Sequence, residues 1–237
     1  MVSYRSLAIY GNGNGTSATG AYPASTTTGD YILVQLYKEN DATVTLVPSD
    51  LVLVKEADNN TSDSFHAYVY MRKFTSGDAN VNLSWTGSVW RDLQITAWQS
   101  SSGTTDDGTD GTPSSQISTT NGTSFTCPSI TTSIANSVLA ALAFTWAGVN
   151  YTDPDGASSE WTDRGTDGRD CHISTKATAV AAGSQSSQTV TGSASTSWVG
   201  MQVAIKNADA STGLPPGLGP AREMDPAMMA DGALARW

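Results

Sequence analysis

Two clusters of carboxylates are the residues of this sequence that most suggest chemistry. The first lies in the stretch TTDDGTDGT, where Asp106, Asp107 and Asp110 alternate with glycine and threonine. This pattern resembles part of a calcium-binding loop, but such a loop closes with a glutamate that binds the ion through both oxygens. No glutamate follows at that position. The sequence therefore favours a solvated acidic loop, with a metal site at these three residues as the weaker alternative.

The second cluster is DPDGASSEW, which carries Asp153, Asp155 and Glu160. Asp, Pro and Gly at this spacing are typical of a turn between two strands, so we predict a turn, with calcium binding as the alternative. A glycosidase would need two carboxylates held at a fixed separation across its substrate. Nothing in the sequence fixes such a pair, and we expect no catalytic carboxylates.

Histidines and cysteines offer no stronger candidate. His66 and His172 both fall in strand-like stretches with no GxSxG motif beside them, so we predict exposed strand histidines. Cys127 and Cys171 are the only cysteines, and no CxxC or histidine pairing suggests zinc. Buried reduced thiols are predicted, with a Cys127–Cys171 disulfide as the alternative. We expect no enzymatic activity and no cofactor.

The tryptophans point instead to binding. In a strand, Trp90 and Trp98 would share a face with polar side chains, opposite Leu93 and Ile95, and Trp198 would share a face with Gln202. We therefore predict that the three tryptophans lie outside the main core, where exposed rings typically contact a sugar, a neighbouring subunit or the chain's own tail. The alternative is that they close one end of the fold.

Composition limits the classes of partner. The 22 acidic and 12 basic residues give a formal charge of −10 and a pI near 4.4, which disfavours nucleic acid. No apolar stretch reaches the ~18 residues that a membrane span requires. The first residues also lack the charged and apolar pattern of a secretion signal. We expect a protein made in a cytoplasm, without a membrane or nucleic-acid partner.

Period-two patterning predicts an all-β chain with little helix. The polar segment from Gln99 to Gln116 is predicted to be a long loop. The stretch SVLAALAF has helix-forming residues, but we interpret it as a buried strand because it aligns with DYILVQLY. The main predicted strands are SLAIY, DYILVQLY, LVLVKEAD, FHAYVYMRKF, WRDLQITAW, TSFTCPSITT, SVLAALAFTWAG, DCHISTKATAVA and SWVGMQVAIKNA.

The two halves of the chain resemble each other. SVWRDLQITAW aligns with TSWVGMQVAIK at an offset of 108, which places Trp90 over Trp198, and a further segment places His66 over His172. We interpret this as an internal duplication with repeats at about 29–100 and 136–208, and chance similarity is the alternative. Two such halves predict one antiparallel β-sandwich of jelly-roll type over residues 1–208, because each half alone has too few strands to bury both faces.

The order of motifs resembles a β-sandwich domain of bacteriophage and prophage structural proteins. The resemblance is carried by YPASTTTGDYILVQLYKEN, PSDLVLVKEAD, FHAYVYMRKFTSG, VNLSWTGSVWRDLQITAW, TSFTCPSITTSIANSVLAALAFTWAG and SWVGMQVAIKNA, from about Ser3 to Ala208. Leu51 departs from the pattern, which has Gly-Trp before this strand. The resemblance implies a virion building block, such as a capsid decoration protein, a head fibre or a minor tail protein, without catalytic residues.

The segment 209–237 is predicted to be an extended docking tail. Prolines and glycines punctuate it, and Met228, Met229, Leu234 and Trp237 are apolar anchors for a neighbouring protein. The favoured function is a non-enzymatic decoration or cement protein that binds the major capsid protein or other virion proteins and assembles as a homo-oligomer. The alternative is a tail or fibre protein that binds host glycans through exposed tryptophans. A bacterial carbohydrate-binding module or glycan hydrolase is disfavoured by the missing export signal.

Overall fold

The computed structural model describes residues 2–40, 42–60, 64–78, 80–99, 108–156 and 160–206, and all regular structure in these ranges is β. The first half contributes β1 (Ser3–Gly20), β2 (Tyr31–Glu39), β3 (Thr45–Val47), β4 (Val52–Asn59), β5 (Phe65–Lys73) and β6 (Val81–Gln99). The second half contributes β7 (Ser114–Cys127), β8 (Ile130–Thr132), β9 (Val138–Val149), β10 (Tyr151–Thr152), β11 (Trp161–Asp163), β12 (Arg169–Lys176), β13 (Gly183–Gln185) and β14 (Gln188–Ile205). No helix in these ranges has the length and hydropathy needed to cross a membrane.

Two antiparallel sheets pack face to face. The N-sheet has the order β1-β6-β2-β5-β4, with β3 also paired to β6, and the C-sheet has the order β10-β14-β9-β12-β11, with β7 also paired to β14. β8 and β13 form a separate two-stranded sheet. The predicted all-β antiparallel sandwich is confirmed. Each large sheet comes from one half of the chain, whereas strands of a jelly roll pass back and forth between the sheets.

The strand orders of the two sheets correspond. If β1, β6, β2, β5 and β4 are matched to β7, β14, β9, β12 and β11, both sheets have the same neighbours. Gln35 lies opposite Gln94 in the N-sheet, and Leu142 lies opposite Met201 in the C-sheet. Both offsets are then 107 (142 − 35 and 201 − 94), one less than the sequence alignment of Trp90 with Trp198. This is the pattern that an internal duplication would produce, and a one-residue shift exchanges the faces of a strand.

The contacts between the two sheets follow the same correspondence. At one side Asn59, at the end of β4, donates to the carbonyl of Ser118 in β7 at 3.1 Å. At the other side the guanidinium of Arg164, next to β11, lies 4.2 Å from the ring of Tyr4 in β1. The β4–β7 and β1–β11 edges therefore pack on each other, which relates the sheets by an approximate two-fold axis.

Both faces of each large sheet are covered. Leu33, Val69 and Met71 of the N-sheet meet Leu142, Ile173 and Met201 of the C-sheet in the core between the sheets. The outer face of the N-sheet is covered by the first part of β6 and the segments before β2 and β4, and the outer face of the C-sheet by β7 and the loops around it. The stretch SVLAALAF forms β9, as predicted, because its alternate residues contribute to two different cores.

Candidate functional site

Three segments of the C-sheet bring Asp153, Asp163 and His172 together on its outer face. Asp153 follows β10 directly, Asp163 is the last residue of β11, and His172 lies within β12. β11 pairs antiparallel with β12, which places Asp163 opposite Ser174. His172 and Ser174 lie two residues apart and point to the same face. In the sequence, Asp153 was grouped with Asp155 and Glu160 instead. The cluster of Asp153 with Asp163 and His172 therefore forms only when the chain folds.

The imidazole of His172 lies between the two carboxylates. Its Nδ1 is 3.6 Å from Oδ1 of Asp163, and its Nε2 is 3.9 Å from Oδ1 of Asp153. Nε2 also lies 2.9 Å from Oγ of Ser174, which donates its hydroxyl proton to Asp153 at 2.5 Å. The ring of Tyr151 stacks on the imidazole with centroids 4.4 Å apart and planes 13° from parallel, which fixes its orientation.

Burial and hydrogen bonding act in opposite directions on Asp153. Burial raises its pKa, but the neighbouring imidazole of His172 and the hydrogen bond from Ser174 outweigh burial and hold the pKa below the ordinary value. The carboxylate is therefore ionised at neutral pH. His172 itself is fully buried, so the prediction of an exposed strand histidine is wrong for this residue. His66 is partly exposed and pairs with Asp58, 3.3 Å away.

Ser174, His172 and Asp163 have the residue types of a hydrolytic triad, but their arrangement does not support nucleophilic attack. Both Ser174 and His172 have no exposed surface. The hydroxyl of Ser174 donates to Asp153, so Nε2 of His172 donates to Oγ instead of accepting its proton. A triad needs the reverse direction of this hydrogen bond and an accessible hydroxyl.

Asp110 is a buried connector. Its carboxylate accepts hydrogen bonds from the backbone NH groups of Ser133 and Ile134 and from the hydroxyls of Ser133 and Ser137, at 2.6–3.1 Å. Burial raises its pKa, but these hydrogen bonds outweigh burial and lower the pKa. The predicted solvated loop is thus wrong at Asp110, whose oxygens hold the β8–β9 connection. Asp106 and Asp107 lie outside the described residues.

Two of the three predicted contact tryptophans are buried. Trp98 is 1% exposed and lies in the core between the sheets, so its predicted position outside the main core is wrong. Trp198 lies outside that core, on the outer face of the C-sheet, but it is 5% exposed and not an exposed ring as predicted. Trp90 is partly buried, and its Nε1 donates to Asp170 of the opposite sheet at 2.6 Å. All three rings thus have contacts within the fold. Trp146, which was not among the predicted contact residues, is 36% exposed.

The sequence correctly divided the residues of β6 between its two faces. However, the face that carries Asp92 and Gln94, which was expected to lie outside the main core, is the one that packs against the C-sheet. Asp92 forms an ion pair with Arg169 and accepts from the backbone NH of Asp170 at 3.1 Å. Gln94 donates to the carbonyl of Cys171 at 2.6 Å, and Gln35 donates to the carbonyl of His172 at 3.1 Å. A buried polar network therefore joins the sheets beside Trp90.

Both cysteines are free and buried, as predicted. Burial raises the pKa of Cys127 to about 12 and raises the pKa of Cys171 as well. Because the thiolate is the reactive form, neither sulfur is suited to nucleophilic chemistry in the folded protein. The thiols act as small apolar groups in the cores on the two faces of the C-sheet.

A groove of about 560 Å³ crosses the outer face of the N-sheet. Its floor is the row His66, Tyr68 and Tyr70 on β5, whose neighbouring rings are stacked with centroids 6.0 Å apart. Glu56 and Asp58 of β4 line the same groove. Tyr68 and Tyr70 are buried, so the groove offers a ligand mainly the partly exposed His66 ring and the carboxylates of Glu56 and Asp58.

Of the predicted tail anchors, Met228, Met229, Leu234 and Trp237 lie outside the described residues. A comparison of the chain with protein-family models, curated proteins and solved structures finds no match.

Proposed function

We propose that the protein is a non-enzymatic structural protein of a phage particle, a decoration or cement protein that binds the capsid surface and neighbouring subunits. The observation that carries the proposal is the position in the chain at which the last described strand of the sandwich ends. Ile205, the last residue of β14, pairs with Val138, and the backbone NH of Lys206 donates to the carbonyl of Gly108 at 2.8 Å. Among the described residues the last strand thus ends at Ile205, and we propose that the segment 209–237, outside these residues, binds the partner.

The resemblance to phage sandwich domains supports the same proposal, as does the exposed edge of the N-sheet. β4 is an edge strand, and its side chains Val52 and Leu53 are 43% and 44% exposed. Edge strands with apolar side chains readily pair with another chain. Contact between neighbouring copies on a virion lattice would cover this edge, with the tail anchoring each copy.

Removal of the tail tests the proposal. Full-length protein and a chain ending at residue 208 would be mixed with phage particles purified from the strain that encodes the chain, and co-sedimentation would be measured. We expect both proteins to fold, with particle binding at least tenfold weaker for the truncated chain. A second full-length variant, with Met228, Met229, Leu234 and Trp237 changed to serine, should show the same loss of particle binding. Equal binding by all three proteins would contradict the proposal.

The groove supports a second candidate, a tail or fibre protein that binds host glycans. Glycan binding through exposed Trp98 and Trp198 is excluded by their burial, but the groove presents the partly exposed ring of His66 to a sugar, and Glu56 and Asp58 offer acceptors to its hydroxyl groups. Glycan-array binding that is lost in Glu56→Gln/Asp58→Asn and kept in Asp50→Asn would favour this candidate. Binding to particles alone would favour decoration.

A further inference from the structure

We infer that His172, Asp163 and Asp153 form a binding site for a divalent first-row transition metal such as zinc. The hydrogen-bond directions around His172 are the first argument. The single hydroxyl proton of Ser174 is donated to Asp153, so the proton between Nε2 and Oγ belongs to the histidine. A neutral imidazole with its proton on Nε2 has a free lone pair on Nδ1.

That lone pair is buried and lacks a hydrogen-bond donor. Nδ1 of His172 has no hydrogen-bond partner among the described residues, and its nearest polar group is the carboxylate of Asp163. A buried ring nitrogen without a hydrogen bond thus faces the partly exposed carboxylate of Asp163, and a cation bound between the two atoms would satisfy both. No lysine or arginine of the described residues forms an ion pair with Asp153 or Asp163.

The separation of the two atoms suits a metal better than a direct hydrogen bond. The Nδ1–Oδ1 distance is 3.6 Å, and an N–H···O hydrogen bond would require about 2.7–3.2 Å. Two ligands at about 2.0–2.1 Å from a tetrahedral zinc ion lie roughly 3.4 Å apart. One ligand atom from each of Asp153, Asp163 and His172 lies within 4.8 Å of the others, so small side-chain adjustments would bring a third ligand to the ion.

The surroundings also match a metal site. The contact between Nε2 and Oγ of Ser174 is the kind of outer contact that orients a metal-bound histidine. A Cβ atom on Gly165 would lie 2.5 Å from Nδ1, so the glycine leaves the space beside this nitrogen open. The side chain of Asp163 is 46% exposed, which gives an ion a route from solvent. One imidazole and two carboxylates favour zinc or a related ion over calcium, which prefers oxygen ligands alone.

Calorimetric titration of the full-length, metal-free protein with Zn²⁺ tests this site, and Co²⁺ absorption reports the ligands. We expect one ion per chain, no thiolate charge-transfer band, and an upward shift of the unfolding temperature. Asp163→Asn should weaken Zn²⁺ binding at least tenfold, because it removes a partly exposed ligand without disturbing the core. His172→Gln should abolish binding.

His66→Gln is the matched control, because the chain has only one other histidine and it also lies beside an aspartate. This variant should bind Zn²⁺ as the unaltered protein does. The inference is overturned if the protein binds no Zn²⁺, or if Asp163→Asn binds as tightly as the unaltered chain. It is also overturned if His66→Gln, and not Asp163→Asn, loses the site. Should His172→Gln fail to fold, the comparison of Asp163→Asn with His66→Gln decides.

Discussion

Replacement of Asp170 by asparagine should stabilise the protein at neutral pH. Asp170 is 3% exposed, and burial is the largest cause that raises its pKa, from 3.8 to about 6, with the Asp92 carboxylate acting in the same direction. Between these two values the folded state binds a proton that the unfolded state does not. Stability therefore falls as the pH rises from about 4 to about 6 and then stays at the lower level.

The size of the effect follows from the pKa shift. About two pKa units correspond to roughly 3 kcal/mol at most, at about 1.4 kcal/mol per unit. Asparagine keeps an acceptor for Nε1 of Trp90 but loses the charge that strengthens this 2.6 Å hydrogen bond. We therefore expect Asp170→Asn to raise the free energy of unfolding by about 1–2 kcal/mol at pH 7.5 and to change it little at pH 4.

Urea unfolding followed by tryptophan fluorescence at pH 4, 5, 6 and 7.5 measures this difference. The neighbouring Asp92→Asn should have the opposite sign and cost about 3–5 kcal/mol, because it leaves Arg169 without its buried partner. Asp50→Asn, on a side chain that is 62% exposed, is the control and should change stability by less than about 0.5 kcal/mol. If Asp170→Asn destabilises the protein equally at all pH values, the assignment of an unfavourable buried charge to Asp170 is refuted.

Three further predictions concern other buried groups. Asp110→Asn should lower the free energy of unfolding by about 1–3 kcal/mol at pH 7, because four donors lose part of their ionised acceptor. Because the pKa of Asp110 is lowered in the folded protein, the unaltered protein loses this stabilisation as the pH falls through that pKa, and acid unfolding curves of the two proteins should converge. Cys127 and Cys171 should resist iodoacetamide in the native state and react only at the rate of unfolding; rapid labelling without denaturant, read by mass spectrometry, would contradict their burial. Gly200→Ala should lower the stability measured by thermal unfolding by about 1–3 kcal/mol, because the added Cβ would lie 2.1 Å from the carbonyl oxygen of Thr126. An unchanged melting temperature would contradict this close packing.

Sequence patterning predicted the elements of this fold well because most strands have strict alternation. DYILVQLY and FHAYVYMRKF became β2 and β5 almost residue for residue. β1 was predicted only over SLAIY, although it extends from Ser3 to Gly20. Its second part is rich in glycine and asparagine and is held by Arg91, which donates to the carbonyls of Gly11 and Gly13. This distant contact leaves no local signal in the sequence.

The tryptophan error has a different physical origin. Alternation separates the two faces of a strand, but it does not say which face meets the other sheet. On β6 the face with Asp92 and Gln94 looked solvent-exposed, yet Arg169 and the backbone of β12 satisfy these polar groups inside the sandwich. Because both faces of the sheet are covered, Trp98 became part of the core.

The His172 site could not be predicted from local spacing either. Asp153 and His172 are 19 residues apart (172 − 153), and no metal-binding motif spans this interval. Asp163 reaches His172 because β11 pairs with β12, whereas Asp153 follows β10, which pairs with β14, and meets β12 through the hydrogen bond from Ser174. The turn residues around Asp153 were recognisable in the sequence, but their proximity to His172 was not.

The number of copies of this protein per phage particle tests the proposed function most directly. Particles purified from the encoding strain would be digested, and peptides of this chain would be quantified by mass spectrometry against those of the major capsid protein. The decoration proposal predicts a copy number of the same order as that of the major capsid protein. A handful of copies would favour the tail or fibre candidate. Absence of the protein from particles, with the chain present in the producing cells, would contradict a role in the virion.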